Sequence, residues 1–223
     1  MIGSNLLSIA TGFAPHAHCP DRVEDADFPG KDVAETLIPE GMERITLRHH
    51  RGAFVGCFSL RLWKNIRWDL FKRWKVDRNP RITDRMARDF LPFIRNHYDL
   101  ITTAPPSASR SPARYCTHDL ATAISRMTHI PFAPAFSQKT DKPYHGRHSS
   151  LSQSEPTLLP SWNVRNRSIL FVDDCITTGA PSRHRRDYEA LVRMGNHVDG
   201  LIWVSAGGYC LESPCISIMA KVF

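Results

Sequence analysis

The segment from Ser168 to Pro181, SILFVDDCITTGAP, constrains the fold more than any other stretch of the chain. Ile169 to Val172 run without a polar break, which suits a strand buried on both faces of a parallel sheet. The run meets two adjacent carboxylates, Asp173 and Asp174. In open α/β sheets ligands bind beyond the carboxyl ends of the strands, so the pair stands where a ligand belongs. Neighbouring carboxylates there are costly unless they meet donors or a cation, and the vicinal hydroxyls of a ribose are such donors. Thr177, Thr178 and Gly179 follow as a short loop opening into a helix. Outward N–H groups, two hydroxyls and the helix dipole suit a phosphate monoester there, and Gly179 permits close backbone approach. Acids for a diol and a donor cup for a phosphate thus lie at the spacing of one ribose 5-phosphate. Either feature alone would equally suit a plain strand-to-helix turn.

The rest of the chain alternates in the same style. Residues 1–45 are irregular and acidic, with no sustained period, and residues 46–223 carry the folded unit, its core at about 80–206. Arg44 to Trp63 is rich in β-branched and aromatic residues, and a break at Gly52 suits a hairpin turn. Helical spacing of Ile66, Leu70 and Trp74 predicts a helix over Asn65 to Lys75 with a solvated basic face. A second helix is predicted over Ile82 to Asn96 with Thr83 as its N-cap, a strand over Asp99 to Ala104, and a helix over Ala113 to Met127. A short strand at Pro131 to Phe136, the strand Ser168 to Asp173, a helix over Arg183 to Met194 stopped by Gly195-Asn196, and a strand from His197 to Ser205 complete the series. Strands alternating with helices imply a parallel sheet flanked by helices. The polar stretch Ser137 to Asn166 interrupts this order without an apolar period of its own.

Composition narrows the function classes. No apolar stretch approaches the ~20 residues of a membrane span, and the N-terminal residues lack a secretory n-region, so a soluble, cytoplasmic protein is expected. Six cysteines without a CxxC pair indicate reduced thiols rather than a zinc or disulfide framework. Residues 1–45 hold eight acidic and three basic side chains, so the remainder carries twenty-six basic against fourteen acidic. That balance suits polyanionic ligands, a pyrophosphorylated sugar or a nucleic acid alike.

The pattern of an apolar strand, Asp-Asp, two variable residues and Thr-Thr-Gly over Ile169 to Gly179 resembles the 5-phosphoribosyl-1-pyrophosphate (PRPP) signature of type I phosphoribosyltransferases. The stretch Asp99 to Arg110, DLITTAPPSASR, is similar to the strand and pyrophosphate loop of that fold, closest to the competence protein F (ComF) branch. The resemblance implies a parallel-sheet fold with a small variable hood and transfer of a phosphoribosyl group to a nucleobase-like acceptor, with Mg²⁺ carried by PRPP and at most water-bridged to the acids. It implies that Asp173 and Asp174 hold the ribose hydroxyls and that Cys175, Ile176, Thr177, Thr178 and Gly179 hold the 5-phosphate. Pyrophosphate would fall to Ser107, Arg110 and Arg114, with Arg110 also aiding its departure, because guanidinium forks match paired phosphate oxygens; as bare residues, both arginines also suit an ordinary surface.

The same resemblance puts a mobile covering loop at Ser137 to Gln153, with Lys139, Lys142, His145, Arg147 and His148, and part of the base pocket at Gly207 to Leu211. There Tyr209 suits stacking on a base as well as a core position. Two departures stand out. Residues 1–60 hold only Cys19 and Cys57, so the branch's cysteine zinc module is absent, and Pro112 to His118 replaces the stretch expected after the pyrophosphate loop. A homodimer is compatible with the pattern. Two other function classes stay open: a PRPP sensor without transfer, and a nucleic-acid-associated module using basic residues 64–75, where interleaved tryptophans suit base stacking.

Overall fold

The computed structural model describes residues 37–45, 47–50, 53, 56–94, 98–106, 115–137, 156–176 and 180–205. Among these residues five strands form one sheet: β1 (Arg48–His49), β2 (Cys57–Leu62), β3 (Leu100–Thr103), β4 (Ser168–Ile176) and β5 (His197–Ser205). Their spatial order is β1-β2-β5-β4-β3. The last four are mutually parallel, and β1 pairs antiparallel with β2 at one edge. Among the described residues four helices, α1 (Trp68–Asp77), α2 (Pro80–Phe90), α3 (Cys116–Thr128) and α4 (Ala180–Val192), flank the sheet. The chain is therefore α/β with a mostly parallel sheet, as the alternation indicates.

Period-2 alternation along β4 sorts the core into two layers. Leu170 and Val172 join Leu60, Leu201 and Trp203 against Phe71 and Trp74 of α1, Met86 and Phe90 of α2, and Leu120 and Ile124 of α3. Ile169 and Phe171 join Val198, Ile202, Phe136 and Trp162 against Leu191 of α4. Removing a side chain such as Phe71 or Phe90 fully from water contributes ~1.5–3 kcal/mol each, so both layers drive folding. Leu37 and Ile38 also enter the first layer, fixed where Arg67 N–H donates to Leu37 O at 2.8 Å.

Several boundaries differ from the sequence expectation, each for an identifiable reason. The helix expected at Ile82 starts at Pro80, and its cap is Asn79, whose side chain accepts from Arg81 N–H at 2.9 Å. Thr83 is instead a buried bridge: its hydroxyl accepts from Trp74 Nε1 at 2.8 Å and donates to Asn79 O at 3.1 Å. That helix stops at Phe90 and a 3-10 turn covers Leu91–Phe93, because Pro92 brings no N–H to continue the ladder. The helix expected from Asn65 is divided into a 3-10 turn, Trp63–Asn65, and α1, which closes on Arg78 in the left-handed region at φ 57°. Pro131 to Phe136 makes only single bridges, Ile101 to Phe132 and Phe136 to Leu158, since Pro131 and Pro134 lack ladder donors. The polar stretch Ser137 to Asn166, expected to carry no apolar period, contributes Leu158, Leu159 and Trp162 to the second core layer. β4 does not stop at Asp173 but runs to Ile176, because β5 accompanies it, Cys175 facing Val204 and Ile176 facing Ser205.

Candidate functional site

Asp173 and Asp174 sit in β4 just past the end of β3, whose last pair is Thr103 with Val172. The pair is thus flanked by β5 on one side and by the end of a shorter strand on the other. Both are buried, at 7% and 6% exposure. As neighbours on a strand they face opposite helical layers, and each meets a partner from the layer it faces.

On the α4 side, His184 Nε2 lies 2.7 Å from Asp173 Oδ2, and Asp173 Oδ1 accepts from the Asp174 N–H at 2.8 Å. His184 is itself buried and packs edge-on against Phe171, centroids 5.7 Å apart. On the other side the Lys75 ammonium, from the last turn of α1, reaches Asp174 Oδ2 at 2.7 Å, and the Cys116 thiol at the start of α3 points to the same oxygen at 3.9 Å. Lys75 also lies over the Phe71 ring, 4.8 Å from its centroid, so its stem is packed while a quarter of the side chain stays exposed.

Two acids in one dry place do not ionise alike. Burial pushes both carboxyls up. At Asp173 the His184 hydrogen bond and charge, with the Asp174 N–H and Lys75 charge, outweigh burial and hold it below the usual range. At Asp174 burial and the Asp173 charge prevail over Lys75 and hold it above. Lys75 loses basicity by burial but regains more from Asp174, so its ammonium is held charged well above its ordinary range. Tyr115, at the N-terminus of α3, keeps some exposed surface while its hydroxyl end is enclosed; burial first, then Asp173 and Asp174, hold the phenol well above its ordinary value. The Cys175 thiol is pushed up to about 12 by burial and the Asp174 charge, which makes it a poor nucleophile.

A hydroxyl chain joins the far end of β5 to the β1 edge. His50 Nε2 lies 2.8 Å from Ser59 Oγ, Ser59 donates to Ser205 Oγ at 3.0 Å, and Ser205 donates to Arg61 O at 3.4 Å. With the Ser59 proton used toward Ser205, the His50 Nε2–H is the donor. The ring is neutral: burial, then the charges of His184 and its neighbours, lowers it to about 4.

Of the residues singled out from sequence, the structure brings Asp173, Asp174, Cys175 and Ile176 together on β4. Thr177, Thr178 and Gly179 lie outside the described residues, as do Ser107, Arg110, Arg114, Lys139, Lys142, His145, Arg147, His148 and Tyr209. Sequence reading passed over Lys75, His184 and Tyr115 as neighbours of the acids. The signal for Lys75 was its place four residues after Phe71, on the flank of the apolar stripe; for His184 it was the inward series 184, 187, 191.

In the basic stretch 64–75 three of the five cations pair with acids, while Lys64 and Lys72 are exposed. Arg67 pairs with Asp69, Arg73 with Asp77, and Lys75 with Asp174. Trp74 is buried, while Trp63 and Trp68 stack on each other and Lys72 lies over Trp68. Among the described residues no helix is long and apolar enough to cross a membrane.

No protein-family model and no curated protein matches this chain. Among solved structures it is similar to adenine phosphoribosyltransferase from Thermoanaerobacter pseudethanolicus, at 9% identity and TM-score 0.40 over 57% of this chain and 82% of that one. It is also similar to adenine phosphoribosyltransferase from Saccharomyces cerevisiae, at 12% identity and TM-score 0.40 over 78% and 88% of the two chains. Hypoxanthine phosphoribosyltransferase from Trypanosoma cruzi follows, at 13% identity and TM-score 0.35 over 77% and 73%.

Proposed function

We propose that this chain is a phosphoribosyltransferase of the type I pattern, binding PRPP at the carboxyl edge of β4 and passing its phosphoribosyl group to a nucleobase-like acceptor. The observation that carries the reading is a buried acid pair at the end of a central parallel strand, followed within three residues by Thr177-Thr178-Gly179 and the start of α4. The affiliation to the ComF-like branch rests on the Asp99 to Arg110 stretch. The binding unit is residues 46–223, with 1–45 as an extension whose Leu37–Ile38 end seats in the core. A cytoplasmic setting suits the free thiols of Cys57, Cys116 and Cys175.

In this reading the ribose hydroxyls donate to Asp173 and Asp174. His184 orients Asp173 and keeps it ionised, so it accepts without a proton of its own. Backbone and hydroxyls of Thr177, Thr178 and Gly179 take the 5-phosphate at the start of α4, where the helix dipole favours an anion. Ser107, Arg110 and Arg114 hold the pyrophosphate, and Lys139, Lys142 and Arg147 close over it to exclude water. The bond from the anomeric carbon to pyrophosphate breaks, a bond to an acceptor nitrogen forms, and the acceptor releases its proton to solvent. The arginines meet the charge that develops on the leaving group.

Mg²⁺ fits as an ion carried by the substrate. Asp173 and Asp174 offer carboxylate oxygens, of which Asp174 Oδ2 already meets the Lys75 ammonium, and the pair alone falls short of the oxygen shell that Mg²⁺ takes. When bound with the pyrophosphate, the ion would neutralise leaving-group charge.

The test is a melting curve with PRPP, with and without Mg²⁺, followed by pyrophosphate release across a panel of bases. A rise in melting temperature with release for one base is expected. A rise without release would make the chain a PRPP sensor, and an unchanged curve at millimolar ligand would reject the reading.

A further inference from the structure

The charge balance of the acid pair carries an inference about Lys75. Two adjacent buried carboxylates need positive charge close by, and a divalent cation is the usual supplier in a phosphate site. Here a side chain of the chain itself supplies it. Lys75 reaches Asp174 Oδ2 at 2.7 Å from α1, an element otherwise committed to the core through Leu70, Phe71 and Trp74. The Phe71 face beneath the ammonium and the packed stem hold it in that place. Among the described residues the groups that face it include Asp174 by direct contact, Asp173 through its charge, and the Cys116 and Cys175 thiols. The other group that brings positive charge to the pair, His184, lies on Asp173 in the opposite layer. A metal ion on Asp174 Oδ2 would have to share that oxygen with an ammonium at hydrogen-bond distance, and the two like charges would repel strongly in so dry a place.

We propose that Lys75 sets the metal requirement of the sugar site: its ammonium takes the place on Asp174 that a divalent cation would need, so the acid pair engages the vicinal diol with no metal ion on the protein. Lys75 is a positioning residue in this scheme, acting through Asp174. The ligand part rests on the phosphoribosyl reading above, whereas the cation part does not. Any Mg²⁺ that enters does so on the pyrophosphate, away from Asp174.

The cation part is tested by titrating Mn²⁺ calorimetrically into the ligand-free wild type and into Asp174→Asn, Lys75→Met, Lys75→Arg and the double variant Lys75→Met, Asp174→Asn. Wild type and Lys75→Arg should show no site that depends on Asp174. Lys75→Met should gain one, roughly tenfold or more tighter than anything in wild type, and the double variant should lose it. Rescue by arginine marks charge rather than packing as the cause. If Lys75→Met does not fold, Lys75→Gln takes its place, and the comparison of wild type with Asp174→Asn decides on its own. A wild-type Mn²⁺ site that vanishes in Asp174→Asn overturns the proposal, as does a folded Lys75→Met that gains none.

The ligand part is tested with ribose 5-phosphate, which carries the diol and the monoester but no pyrophosphate. Its affinity for wild type should agree within about twofold in EDTA and in Mg²⁺, and a tightening of tenfold or more with Mg²⁺ overturns the proposal. Absence of binding in both buffers rejects the phosphoribosyl reading of the site, and the Mn²⁺ titrations then decide on Lys75.

Discussion

Two buried carboxylate centres lie within this one fold, and they are built in opposite ways. Asp89, on α2, is surrounded. Arg61 Nε and Nη2 donate to its two oxygens at 2.5 and 2.9 Å, Arg85 Nη1 donates at 2.8 Å, and the Trp203 indole donates at 2.9 Å. Arg61 spends its remaining reach on Met42 O and Glu43 O, so the network ties β2, α2, β5 and the 42–43 segment together. At the carboxyl edge of β4, by contrast, two acids crowd one another, and among the described residues each draws one charged or imidazole partner, His184 on Asp173 and Lys75 on Asp174. A carboxylate saturated by donors from three elements has nothing left to offer a ligand. A crowded pair pushed apart in acidity holds acceptor capacity that a ligand can use.

The comparison breaks most readily at Asp89. Asp89→Ala leaves a fully buried guanidinium without its carboxylate, a loss of about 3–5 kcal/mol. Urea unfolding should show the midpoint falling with an unchanged slope. If the midpoint stays within error, the network is ornamental and the contrast between the two centres fails.

A second large effect is expected from pH. His50 is held neutral, its folded value lowered to about 4 from 6.5. Above pH 6.5 neither the folded nor the unfolded state protonates it. As the pH falls from 6.5 towards 4 the unfolded chain takes up a proton that the fold refuses, so stability drops by up to ~3 kcal/mol. Urea midpoints of wild type and His50→Asn should therefore converge as the pH falls through this window. Parallel curves would mean that His50 is not buried neutral.

The third expectation concerns the phosphate loop. Thr178→Val preserves shape and removes one hydroxyl, which should weaken PRPP and ribose 5-phosphate by ~1.5–3 kcal/mol, or roughly ten- to a hundredfold. Calorimetry with inorganic pyrophosphate as the control ligand separates a lost phosphate contact from a misshapen loop, for which both ligands would weaken equally.

The smallest effect belongs to stability at the β4 pair. Asp174→Asn relieves crowding with Asp173, and Lys75 can turn its exposed portion to water, so the unfolding free energy from urea curves should change by less than about 1 kcal/mol in either direction. A loss as large as that of Asp89→Ala would assign both centres to structure.

What was legible in the sequence follows from the range of the interactions concerned. The apolar run of β4, the helical stripe Leu70, Trp74 and the strand His197 to Ser205 are local patterns, and all three stand in the structure. The acid pair was legible for the same reason. Element ends depended on side-chain choices that composition leaves open, such as Asn79 rather than Thr83 as the cap, and on a neighbour, β5, that carries β4 past its acids. The counter-charges were hidden because Lys75 approaches Asp174 across nearly one hundred positions of sequence. In sequence it stands among Lys72, Arg73 and other cations of a solvated face, and only the packing of α1 on the sheet selects it.

The central claim is tested most directly by calorimetric titration of PRPP with Mg²⁺ into wild type, Asp173→Asn and Asp174→Asn, each shown by urea unfolding to be folded. Wild type should bind, and each variant should bind at least roughly tenfold more weakly at an unchanged fold, as expected for a lost hydrogen bond between a charged acceptor and a sugar hydroxyl. Equal binding by all three proteins, or no binding by wild type at millimolar PRPP, would contradict the assignment of this acid pair to the ribose.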